Sequence, residues 1–163
     1  MQYGLAARRG MHEFGTGPET WAHIAMNTRR WANLNPMATF YERPLTLQDY
    51  LAEPWVAEPF RRADCCLVSD GARAFIVTTA ERARDLKQPP VYICGMGQYH
   101  HTADVVQSKF VTGPTGARQS GEAALKMAGI TLGDIDACEI YDCFTYTVEL
   151  TMQSYGFFKP GEG

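Results

Sequence analysis

Four short apolar runs, CCLV (65–68), AFIV (74–77), VYIC (91–94) and ACEI (137–140), do most to limit what this chain can fold into. Each is too short for a stable helix and lies beside turn residues such as SDG, KQPP, GMG and GDID. Helical patterns separate them: residues 80–86 behind Thr79, about 119–128 ending at Gly129, and about 143–155. Strands alternating with helices predict an α/β layered fold. KQPP places a boundary at residue 88, dividing 1–88 from 89–163.

The front of the chain reads as helix. LAARRGMHEF runs to Gly15, and Thr16 is placed to cap a second helix with Pro18 in its first turn and Glu19 three positions on. Trp21, Ile24, Ala25, Thr28 and Ala32 recur at helical spacing, and Pro36 stops the pattern. Residues 36–62, punctuated by Pro44, Pro54 and Pro59, read as an excursion over the core, with one short helix capped by Thr46.

Charge and length exclude several roles. A net charge of −3 gives no basic footprint for nucleic acid. No apolar run approaches the ~18 residues of a membrane span, and the N-terminus lacks the apolar stretch of a secretory signal. Cys65, Cys66, Cys94, Cys138 and Cys143 include no C-x-x-C pair, so no metal site is expected. They read as reduced, mostly buried thiols of a cytoplasmic protein.

The residues that invite chemistry stand where the run ACEI meets the last helix, as Tyr141-Asp142-Cys143. One account is structural: Asp142 caps the helix, Tyr141 and Tyr146 form a hydrophobic staple, and Phe144, Val148, Met152 and Tyr155 make the buried stripe. The other is functional. Ligand crevices of α/β folds lie beyond strand ends, and a phenol there can donate a hydrogen bond or transfer a proton. Cys143 is a weaker candidate, a thiol near a helix start. Cys65 and Cys66 read as core, adjacent His100 and His101 as loop surface, and His12 and His23 as structural. Asp70-Gly71 reads as a turn, and Glu139 faces either a neighbouring layer or a partner.

Taken together, CLVSDGARAFIV, AALKMAGITLGDIDACEIYDCFTY and YGFFKPGEG, in that order, resemble the thiolase superfamily, in its lipid-transfer (sterol carrier protein-type) branch. The family's Asn-Glu-Ala-Phe motif here reads Tyr141-Asp142-Cys143-Phe144. The resemblance implies a thiolase-like α-β-α-β-α layered fold, of which this chain covers the central part: the end of the first half with its excursion, then the start of the second. It also implies a coenzyme A thioester as substrate with no covalently bound cofactor, and homodimerisation. The family's nucleophilic cysteine turn lies upstream of this stretch and its His-Gly-Gly and Cys-x-Gly loops downstream. The expectation is therefore a fragment of a longer protein or a shortened relative.

In thiolases the motif asparagine holds a water near the thioester oxyanion. Tyr141 in that place resembles the thiolase-like aldolases of steroid side-chain degradation, with Tyr141 as base or acid and a second group elsewhere. These cleave a β-hydroxyacyl-CoA by retro-aldol reaction and work with a small partner that combines an OB-fold and a zinc ribbon. Two alternatives stand beside that implication: thiolysis or Claisen condensation through a cysteine outside this chain, and a non-catalytic lipid-binding or assembly chain.

Overall fold

The computed structural model describes residues 2–100 and 115–163. Two helices open it, α1 (Gln2–Phe14) and α2 (Pro18–Asn33). The expected cap at Thr16 is corrected: Gly17 is the N-cap, without a side-chain cap bond, and Thr16 lies one residue outside it, buried. Pro18 takes the first helical position, where an N–H would have no intrahelical partner. α1 buries Gly4, Ala6, Ala7 and Gly10, a face of small residues over which aromatic rings pack.

α3 (Leu47–Ala52) starts as expected at Thr46: its hydroxyl accepts the Asp49 N–H at 3.1 Å, and the Asp49 carboxylate accepts the Thr46 N–H. The excursion then forms a hairpin, β1 (Trp55–Ala57) antiparallel to β2 (Phe60–Arg61), followed by a 3-10 turn at Arg62–Asp64. α4 (Ala80–Arg84) begins on Thr79 as expected. α5 (Gly116–Ala128) begins three residues earlier than the pattern suggested, because Thr115 caps it. It ends at Gly129 in the left-handed region (φ 72°), which glycine adopts without strain. α6 spans Thr145–Tyr155.

The strand expectations at 74–77, 91–94 and 137–140 are corrected. These stretches form no ladder among the described residues, and Ile76 and Val91 are 93% and 95% exposed. A strand is completed only by a neighbour that takes its N–H and C=O groups, and no described segment does so here. The apolar character was read correctly; the pairing it needs is not met within this stretch. The cysteines follow suit: all five are free thiols, but Cys66, Cys94 and Cys138 are exposed and Cys65 and Cys143 only half-buried. GMG has its own use. A Cβ at Gly95 would lie 2.1 Å from the Ala124 carbonyl oxygen, and one at Gly97 2.0 Å from that of Ser120. Backbone therefore meets the α5 backbone directly, which only glycine permits.

The core crosses residue 88. Ala6, Ala7, Trp21 and Phe60 pack with Tyr146 of α6, while Ala22, Ala25 and Tyr50 join α2 to α3. Trp21 meets Phe60 at 5.6 Å and the edge of Tyr146 at 5.9 Å between centroids. The expected α6 stripe is also corrected. Phe144, Val148, Met152 and Tyr155 are half-buried, and the buried set is Thr145, Tyr146, Glu149, Gln153 and Ser154. Polar side chains enter because partners await them: the Trp21 indole N–H donates to Glu149 at 2.7 Å, and the Ser154 hydroxyl accepts the Thr115 N–H at 3.0 Å.

Candidate active site

The stretch Tyr141–Phe144 is held from residues far away in sequence. Phe144 lies in extended backbone (φ −149°, ψ 148°) and forms an isolated antiparallel bridge with Cys65; beside it the Cys66 N–H donates to the Cys143 carbonyl at 3.2 Å. Its ring stacks on Phe60 at 4.8 Å and meets Tyr3 at 5.0 Å. Because this bridge keeps Phe144 extended, α6 begins only at Thr145. Asp142 is therefore two residues too early to cap it, and Tyr141 and Tyr146 are not in staple register. Both structural expectations are corrected by one tertiary contact.

One carboxylate organises the buried side of the junction. Asp64 is 1% exposed and accepts hydrogen bonds from three donors. The Tyr50 hydroxyl shares its proton between the two oxygens (2.7 and 2.9 Å), and the Thr145 hydroxyl (2.6 Å) and the Arg61 N–H (2.7 Å) donate the others. Burial pushes its pKa up, while the Thr145, Arg61 and Tyr50 donors pull it back; the net direction is upward. The same burial and the facing carboxylate push the Tyr50 phenol far above its ordinary value.

The other side is open. Tyr141 is 80% exposed. Its phenol is pushed up, first by the charge that the Cys66 thiol would carry, then by Cys143, with a Cys66 hydrogen bond and Asp142 adding to it. Cys143 lies 3.4 Å from the Thr147 hydroxyl. Burial and Cys143 push the Tyr3 phenol up as well. Tyr141, Cys66, Cys143 and Tyr3 thus share one neighbourhood, and Tyr141 carries its proton at neutral pH.

Asp142 turns into a cleft of about 360 Å³, which it lines with Cys66, Phe40, Arg29, Arg43 and Arg62. Burial raises its carboxyl pKa. Arg29 lies 3.8 Å over the Phe40 ring and donates to the Arg43 carbonyl at 3.0 Å. Burial nudges it down, but a guanidinium stays charged at any physiological pH. The arginines were not singled out from the sequence, since their convergence depends on the path of residues 36–62. A clue was present in Arg29 at helical spacing from Ala25, on the flank of the buried face.

The remaining candidates stay apart from this site. His100 bonds Gln98 at 2.7 Å on the surface, and His101, like the residues up to 114, lies outside the described residues. His12 sits in the last turn of α1, Asp70 is exposed, and Glu139 borders a small apolar cavity against α5. Among the described residues no three His, Cys, Asp or Glu side chains gather as metal ligands, and no helix is long and apolar enough to cross a membrane.

Comparison with known proteins decides the fold. Residues 97–163 match the family described as "Thiolase C-terminal domain-like". A solved structure described as "Ltp2-ChsH2(DUF35) aldolase" superposes with a TM-score of 0.91 at 37% identity, covering 98% of this chain and 43% of that one. The chain belongs to the thiolase superfamily. Its fold is thiolase-like, and it holds part of it.

Among curated thiolase-like relatives, a steroid side-chain-cleaving aldolase from Thermomonospora curvata is 38% identical over 97% of this chain and 41% of its own length. An acetyl-CoA acetyltransferase from Methanothermobacter thermautotrophicus is 35% identical over 99% and 42%. A 17-hydroxy-3-oxo-4-pregnene-20-carboxyl-CoA lyase from Mycobacterium tuberculosis is 35% identical over 99% and 43%. The chain thus spans about two fifths of the length of the curated relatives it matches.

Proposed function

We propose that this chain is part of a thiolase-like aldolase, a lyase that cleaves a carbon–carbon bond in a steroid-type β-hydroxyacyl-CoA. The observation that carries this reading is Tyr141, a protonated phenol held beside an arginine-lined cleft. In the reaction the β-hydroxyl loses its proton and its carbon becomes a ketone. The bond to the thioester α-carbon breaks, and that carbon leaves as an enolate that takes up a proton. Since Tyr141 rests protonated, its favoured part is to donate: first a hydrogen bond to a substrate oxygen, then a proton to the leaving enolate. A second group takes the hydroxyl proton. Arg29, Arg43 and Arg62 suit the phosphates of coenzyme A, which guanidinium groups bind well.

The relatives named as aldolase and lyase support the reaction class. The DUF35 named beside the aldolase in the solved neighbour supports a small partner protein, here proposed to be of OB-fold and zinc-ribbon type. Homodimerisation is proposed on the family resemblance, and a cytoplasmic location on the five free thiols. A second reading, thiolysis or Claisen condensation through a cysteine, is favoured by the similarity to an acetyl-CoA acetyltransferase.

The test is Tyr141→Phe in the intact enzyme from its source, assayed on 17-hydroxy-3-oxo-4-pregnene-20-carboxyl-CoA. Turnover is expected to fall by about 10²–10⁴-fold, the usual contribution of one proton-transfer group. Wild-type turnover by the variant would remove Tyr141 from the mechanism. Rapid inactivation of acyl transfer by iodoacetamide would favour the second reading.

A further inference from the structure

Tyr141 is exposed, and few contacts of its own hold it. What places it is a set of links to the turn at Arg62–Asp64 and the residues just after it. Three of these converge within four residues of it: the Cys65 to Phe144 bridge, the Cys66 N–H to Cys143 carbonyl bond, and the 2.6 Å hydrogen bond from Thr145 to Asp64. The first two are backbone contacts that many side chains would allow. The third depends on side-chain identity at both ends.

Asp64 is itself immobilised, by Tyr50 from α3 and by the Arg61 N–H from its own turn. A buried carboxylate surrounded by donors accepts a further hydroxyl in one direction only. Thr145 is the first residue of α6 and is 1% exposed, so its hydroxyl has no solvent alternative.

We propose that Asp64 and Thr145 form a clasp that positions Tyr141 for proton transfer, by fixing where residues 141–144 end and α6 begins. The clasp acts through Thr145 and touches no substrate, so both are positioning residues. Asp64 lies far from the motif in sequence and carries no local signal of such a role. The proposal rests on the aldolase reading for its consequence in turnover, but not for its consequence in geometry.

The experiment uses Thr145→Val, which keeps the shape and removes the hydroxyl, with Thr145→Ser as the conservative variant, in the intact enzyme. Misplacement of a reacting group by ~1 Å can cost on the order of 100-fold in rate. Thr145→Val is expected to lower kcat by about 10- to 100-fold with KM little changed, and Thr145→Ser to restore it. Ala123→Gly, at an exposed position of α5 apart from the clasp, serves as the destabilised control; it is expected to lower Tm and leave kcat unchanged.

The second readout is independent of activity. With 3-fluorotyrosine at position 141, the fluorine resonance is expected to shift or broaden in Thr145→Val and return in Thr145→Ser. An unmoved resonance in a folded Thr145→Val overturns the clasp whatever the turnover. Wild-type kcat in Thr145→Val while Tyr141→Phe is inactive also overturns it, and leaves the aldolase reading standing. A moved resonance with full activity in Tyr141→Phe supports the clasp and removes the reading instead. Should Thr145→Val fail to fold, Asp64→Asn, which keeps the side-chain shape and one carbonyl oxygen, supplies the same comparison.

Discussion

Asp64 and Tyr141 lie on either side of one short bridge, yet one is 1% exposed and the other 80%. Asp64 is surrounded by donors that use its lone pairs and tie three segments together. Tyr141 is surrounded by thiols and a carboxyl that raise its pKa without holding it firmly. The contrast separates two jobs that the sequence places next to each other. Buried polar groups cost free energy unless satisfied, and once satisfied they specify one geometry. A group meant for a substrate must instead stay open to it.

Predictions can be set against that division. The largest effect is Tyr141→Phe, which is expected to abolish most turnover while the melting temperature of the intact enzyme stays where it was. A drop in stability of similar weight would erase the contrast. Phe60→Ala is its mirror. The ring stacks on Phe144 and packs on Trp21, so its loss should cost about 3–5 kcal/mol in chemical denaturation; a cost under about 1 kcal/mol would mean the aromatic cluster does not hold the junction.

A third test uses pH. Burial raises the Glu149 pKa above its ordinary 4.5, and the Trp21 hydrogen bond only partly opposes this. A carboxyl with a raised folded-state pKa contributes stability that is fully present below the unfolded value and lost as pH rises through the folded one. Glu149→Gln keeps an acceptor for Trp21 and has no charge to bury. Relative to the parent, it should therefore gain stability on going from below pH 4.5 to pH 7, followed by thermal melts across that range. A constant difference would show that Glu149 does not titrate with folding.

The smallest effects belong to the thiols. Cys143→Ala should change stability by less than about 1 kcal/mol and leave carbon–carbon cleavage largely intact. Complete loss of turnover would make Cys143 a participant. Cys66→Ala should bring the Tyr141 phenol back toward 10.0, read by ultraviolet titration against Tyr141→Phe.

Much of this was legible in the residues. The capped helices at Thr46 and Thr79, the stop at Gly129 and the breaks at proline all follow from local chemistry. The order of motifs pointed to the thiolase superfamily and to Tyr141, and the comparisons establish the family. The cap at Asp142 failed because local capping rules know nothing of Cys65 and Cys66, which bridge Phe144 and bond the Cys143 carbonyl from some eighty positions away. The α6 stripe failed because apolar spacing takes no account of a buried carboxylate such as Glu149 with an indole waiting for it.

By itself, then, the amino-acid order determined where helices start and stop, which stretches are apolar, and which polar triad sits at the junction. These depend on neighbours a few residues apart, whose interactions any conformation of the chain retains. Tertiary structure alone decided that Asp64 meets Thr145 and that three arginines line one cleft with Asp142. It also decided that Asp142 faces that cleft rather than capping a helix. Such contacts join residues distant in sequence, and only the packing of α2, α3 and α6 around Trp21, Tyr50 and Phe60 brings them within reach.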